Sequence, residues 1–174
     1  MADFAPPQEQ RQEINIRSPR YFLARRLGEC CHCREPTQLF ALAVPPGHQT
    51  LELDSAARDE ITALDTWQVA THNAFLFYVE YLSEAVHGRL RQYTQYYRFS
   101  HSPAAMGFYW SNHCERCGCL LDDHELFCEP EGSFLPTSEF NASAIHLLPL
   151  NEEMQAFAAG YAHEPQFFHA MSRG

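Results

Sequence analysis

Hydrophobic and polar positions along this chain fall into short blocks separated by Pro, Gly and Asn, and the blocks differ in period. Ile14 and Ile16 alternate with polar residues, which predicts a short strand stopped by Ser18-Pro19. Residues 38–44 (QLFALAV) are apolar on both faces and predict a buried strand ended by the turn Pro45-Pro46-Gly47. The run 107–113 (GFYWSNH) reads as a strand, and so does 144–150 (AIHLLPL). Residues 73–82 (NAFLFYVEYL) fit a central strand or the continuation of a helix.

Four segments carry helix signals. In 55–70, Ile61, Leu64 and Gln68 fall at helical spacing behind Ser55 as a cap. In 83–97, Val86, Leu90, Tyr93 and Tyr97 make one continuous stripe, with Ser83 as cap. In 121–127, Asp122 and Glu125 have capping-box spacing, and Leu121 with Leu126 the spacing of a hydrophobic staple. In 151–160, Asn151 stands at the start and Gly160 at the end. Together the blocks predict an α+β fold, a small mixed or antiparallel sheet with a few helices. The predicted organisation is a disordered tail over 1–12, one domain over 13–162, and a loose tail over 163–174.

Cysteine spacing adds the chemistry. Cys30 and Cys33 form one Cys-x-x-Cys pair, and Cys114 and Cys117 form a second. Each pair puts two thiols on one tight turn, and two such turns supply the four thiolates of a closed structural zinc site. The pairs stand 80 residues apart, so one shared site makes the segment of about 46–107 an inserted lobe whose ends return to the metal. Gly118, directly after Cys117, suits a turn that needs positive φ. Cys31 and Cys119 lie in or beside the pairs, and His124 and Cys128 share a helix face where they could hold metal themselves. His113 and Glu115 match the His-x-Glu of zinc deaminases, but the second Cys pair lies upstream instead of downstream.

These two knuckles resemble those of zinc-ribbon proteins, over residues 28–45 and 108–128, and the flanking segments look like bacterial proteins of unknown function with a similar pair. The resemblance implies a zinc-holding fold element, with Cys30, Cys33, Cys114 and Cys117 as ligands. It implies no reaction.

Charge narrows the partners. The 174 residues carry a formal charge of -10, with no Lys, and from His113 onward ten acidic residues face two Arg. Such a surface disfavours nonspecific nucleic-acid binding and favours a basic partner. The first residues lack a basic stretch followed by an apolar one, so the expected compartment is the cytosol, where thiols stay reduced. The leading functional expectation is a non-enzymatic, zinc-stabilised protein-interaction module, with a basic toxin as one partner of the right charge. The runner-up is a nucleic-acid binder using Arg17, Arg20, Tyr21, Phe22, Arg25 and Arg26. The third is an enzyme built from dispersed residues such as His48, His72, His87, His101 and His146, for which the sequence supplies no catalytic motif.

Overall fold

The computed structural model describes residues 14–52, 66–163 and 165–174. Its body is one mixed sheet of twelve strands: β1 (Ile16–Ser18), β2 (Tyr21–Glu29), β3 (Pro36–Val44), β4 (Gln49–Glu52), β5 (Thr66–Val69), β6 (Ala74–Leu82), β7 (Tyr97–Ser102), β8 (Gly107–His113), β9 (Leu120–Leu121), β10 (His146–Leu150), β11 (Met154–His163) and β12 (Ser172–Arg173). The main path runs β12-β10-β2-β3-β6-β11-β1-β4-β5, and β8 branches from β6 to carry β7 and β9. Among the described strands only β10 with β12 pairs in parallel. Helix, among the described residues, is confined to α1 (Glu84–Leu90), α2 (Glu139–Ser143), a π turn (His124–Cys128) and a 3-10 turn (Phe168–Ala170). The expected small α+β sheet is therefore corrected to a large, strand-dominated one.

Two helix expectations fail for identifiable reasons. The stripe over 83–97 ends as a helix at Leu90, and Tyr97 instead opens β7 and is buried there. Ser83 does precede α1 but makes no side-chain capping bond. The segment 151–160 is mostly β11, bonded to β6 on one side and β1 on the other. Ala156, Ala158 and Ala159 favour helix by intrinsic propensity, but burial alternates from Met154 to Gly160, the period of a strand. Small residues suit this site because neighbours crowd it. Gly160 faces Phe77, and a Cβ on it would lie 2.2 Å from that ring.

The helix expected over 55–70 lies partly, and the 1–12 tail wholly, outside the described residues; the described end of the former, Thr66–Val69, is β5. The last residues, expected to be loose, carry the 3-10 turn and β12, with Phe168 and Met171 buried. β6, from within the expected lobe, lies mid-sheet against β3, β11 and β8.

Apolar side chains collect on both faces of the sheet. One cluster includes Leu23, Phe40, Leu42, Leu76, Val86, Leu90 and Trp110. The other holds Leu39, Phe75, Phe127, Phe134, Ile145 and Leu147, and it takes in Cys30 and Cys114. β3 feeds both clusters, which explains its unbroken apolar run. Outside the apolar layers, Arg89 grips both carboxylate oxygens of Glu152 at 3.0 and 3.1 Å, and buried Tyr21 donates to the same group at 2.8 Å. This joins α1 to β2 and the β10–β11 turn.

A candidate metal centre where two strand pairs meet

The two Cys-x-x-Cys turns have the same backbone plan. In the first, between β2 and β3, Arg34 N–H donates to the Cys30 carbonyl at 2.9 Å and Cys30 N–H to Glu35 at 3.0 Å. In the second, between β8 and β9, Gly118 N–H donates to Cys114 at 2.9 Å and Cys114 N–H to Cys119 at 2.9 Å. In each, the amide two residues on points at the first sulfur: His32 to Cys30 Sγ at 3.4 Å, Arg116 to Cys114 Sγ at 3.3 Å. The residue after the second Cys is left-handed in both, Arg34 at φ 63° and Gly118 at φ 72°. The sequence signalled this at Gly118 and hid it at Arg34, which accepts the strain.

A Cβ on Gly118 would touch nothing within 4 Å, so only backbone conformation opposes a side chain there. Gly118→Ala is expected to lower stability by about 1–2 kcal/mol, read by chemical denaturation.

Paired strands bring the turns together. Asn112 on β8 is buried and treats Phe40 of β3 as a strand partner: its Oδ1 accepts from Phe40 N–H at 2.8 Å and its Nδ2 donates to Phe40 O at 2.9 Å. Glu115 N–H then donates to Thr37 Oγ1 at 3.0 Å, and Gln38 N–H donates to the Glu115 carboxylate at 3.0 Å. These contacts fix the second turn against the start of β3, one step from the first turn. No local sequence pattern announces them, because each joins residues more than 70 positions apart.

As a result the sulfurs of Cys30, Cys33, Cys114 and Cys117 all lie within 4.8 Å of one another. Cross-turn pairs are 3.7 Å apart (Cys30 and Cys117) and 3.6 Å apart (Cys33 and Cys114). A disulfide needs about 2.05 Å, and the cysteines are free. Tetrahedral zinc with Zn–S bonds of about 2.3 Å requires S···S edges of about 3.8 Å, so the donor set fits such an ion. Electrostatics agree. Burial raises the Cys30 thiol, but hydrogen bonds, among them the Cys33 and His32 amides and the Cys119 thiol, bring it down to about 6. A backbone bond at Glu35 lowers Cys33, yet desolvation and neighbouring thiols outweigh it and carry it to about 12. Four thiolates this close can all ionise only around a cation.

The remaining sequence candidates separate. Cys119, noted beside the second pair, does come close: its sulfur is 3.3 Å from Cys30 Sγ, and burial raises its pKa. Cys31 and Cys128 are exposed, and His124 sits 3.5 Å from Glu129, away from the sulfurs. His113 turns from the metal centre to Ser100 Oγ at 3.2 Å and the Ser111 carbonyl at 3.1 Å. His48 and His72, unlinked by spacing, meet at Tyr161. His48 Nδ1 donates to the Pro45 carbonyl at 2.7 Å, which leaves Nε2 to accept from Tyr161, while His72 Nε2 donates to Tyr161 at 3.0 Å.

A separate polar cluster lies behind the second turn. Asp122 accepts from Tyr109 at 3.2 Å, from Ser102 at 3.3 Å and, at its other oxygen, from the His124 amide at 2.8 Å. The expected cap residue Asp122 thus accepts an amide, but the element begins after Asp123, which makes no side-chain capping bond, and is a single π turn. Asp123 is buried, its Oδ2 accepts the Tyr78 amide at 2.7 Å, and its Oδ1 has no partner. Tyr78 sits at φ 48° beside a bulge where β6 slips against β11. No helix among the described residues is long and apolar enough to cross a membrane. Compared with protein-family models, curated proteins and solved structures, the chain matches none of them.

Proposed function

We propose that the chain is a non-enzymatic interaction module clamped by one structural zinc ion on Cys30, Cys33, Cys114 and Cys117. The observation that carries this is the meeting of four sulfurs within 4.8 Å on two turns of identical plan. Four thiolates fill a tetrahedral ion and leave it no open position for a substrate, so such an ion holds structure together. Cys30 and Cys114 are core residues, so in this reading loss of the ion would open the second apolar cluster.

The partner in this reading is a protein with basic side chains. Phe140 on α2 is 86% exposed, beside the exposed carboxylate of Glu139, within the acidic last third of the chain. An exposed aromatic flanked by acid is an anchor for an apolar, basic surface, and aromatic residues are enriched at interfaces. A basic toxin neutralised by this chain is one partner of that kind.

The test is to use the zinc-loaded full-length protein as bait in a lysate of its own organism, with zinc measured on the same sample. The captured protein is then purified and its affinity measured against salt. A basic protein whose binding weakens with salt and drops on Phe140→Ser is the expected result. Capture that vanishes after nuclease treatment would overturn the reading.

A further inference from the structure

The sheet face between β10, β2 and β3 holds a groove of about 610 Å3 next to the second Cys turn. This volume lies in the range of small-molecule sites, about 300–1,000 Å3. Register explains its lining. His146, Arg25 and Phe40 stand side by side across three strands, and Leu27 and Gln38 form the next row. Tyr93, beyond the end of α1, forms a wall, and Glu115 closes the far side.

The chemistry of the groove is graded. At one end Arg25 and His146 are directly paired neighbours, so their side chains can reach one group. Neither side chain enters a hydrogen bond or ion pair among the described residues, in a protein with 22 acidic residues against 12 Arg. In the middle, Leu27 is 60% exposed and Tyr93 42%, an apolar surface open to solvent. At the other end Glu115 and Gln38 offer oxygen acceptors.

The geometry points to a binding site for a small phosphate monoester carrying a polar aromatic ring, of the nucleoside monophosphate class. An Arg fork binds carboxylate and phosphate alike, but a tetrahedral phosphate has a further oxygen for His146, the cross-strand neighbour of Arg25, once the fork has taken two. The ring lies over Leu27 and Tyr93, and its amino or hydroxyl hydrogens are accepted by Glu115 and Gln38. Ala144, at the end of α2, lines the groove, but the ligand test does not depend on the protein capture that tests Phe140, so either can fail without the other.

The test is calorimetric titration of the intact zinc-loaded protein with adenosine monophosphate, inorganic phosphate and adenosine. The monophosphate is expected to saturate, with each fragment at least about tenfold weaker. Arg25→Gln and His146→Gln should each weaken the monophosphate about tenfold or more and leave adenosine unchanged. Tyr93→Ala should weaken adenosine and the monophosphate but not phosphate. Arg25 and His146 are both exposed, so their variants keep the wild-type melting temperature. No saturable binding of the monophosphate at millimolar concentration overturns the site, and so does unchanged affinity in both Arg25→Gln and His146→Gln.

Discussion

Stripping the metal with a chelator is expected to lower the melting temperature by more than about 10 °C and to expose the second apolar cluster. Structural zinc contributes an apparent binding free energy of about 10–16 kcal/mol at neutral pH, whereas whole domains are stable by about 5–15 kcal/mol. For a protein of this size, about 1 kcal/mol corresponds to roughly 2–4 °C, so losing even part of the metal term exceeds ordinary mutational effects. Cys114→Ser should release the ion, because Cys114 is fully buried and its sulfur receives the Arg116 amide. Cys31→Ser and Cys128→Ser, at exposed thiols, should leave zinc content and melting temperature unchanged. One equivalent of zinc retained by Cys114→Ser would remove the four-thiolate assignment.

The second large effect concerns pH. Burial is the main cause that pushes the Asp123 carboxyl up from its ordinary 3.8 to about 8; the Tyr78 amide opposes it, and the Asp122 charge adds to it. Tyr97, Tyr109, Tyr78 and Cys128 also face this carboxyl, and its charge raises each of them. The folded protein therefore keeps a proton that the unfolded chain releases at about pH 4. Between about pH 4 and 8 the native state binds more protons than the unfolded state, so stability falls as pH rises. By pH 7 the cost is on the order of 4 kcal/mol.

Asp123→Asn keeps an oxygen for the Tyr78 amide and carries no charge. It should remove this slope, so that the variant is the more stable protein at pH 8. Toward pH 3 its advantage disappears, since the wild-type carboxyl is then largely neutral in both states, and the new amide leaves buried hydrogens unpartnered at about 1–3 kcal/mol. Denaturant titrations of both proteins across this range give the comparison. His113, lowered by burial, adds an opposite trend below its ordinary value of 6.5, but it is present in both proteins and cancels. A slope that survives in Asp123→Asn would show that another group sets it.

Legibility in the sequence followed locality. The Cys turns were readable because four consecutive residues and the next one build each of them. The strands at 36–44, 107–113 and 146–150 were readable because apolar runs end at turn residues, whereas 74–82 fitted a strand or a continuing helix until its pairing decided it. β11 was not, because its Ala and Gly answer to Phe77 on another strand and to pairing on both sides. Tyr97 fitted the helical stripe of 83–97 by spacing alone, and its pairing with Asn112 in β7–β8 decides its state. Asn112 itself looked like an ordinary polar residue in a strand. Its partner is the backbone of Phe40, 72 positions away, and no pattern in either segment encodes that meeting.

The identical plan of the two Cys turns has a kinetic consequence. Each turn closes through bonds spanning five residues or fewer and can capture a metal ion as a two-thiolate half-site at once. Joining them must wait for β3 and β8 to align, since Cys33 and Cys114 are 81 positions apart and such closure is slow. Refolding should thus be quickest near one zinc per chain. A large excess would load the two turns separately, and one ion would have to leave before the halves could share the other.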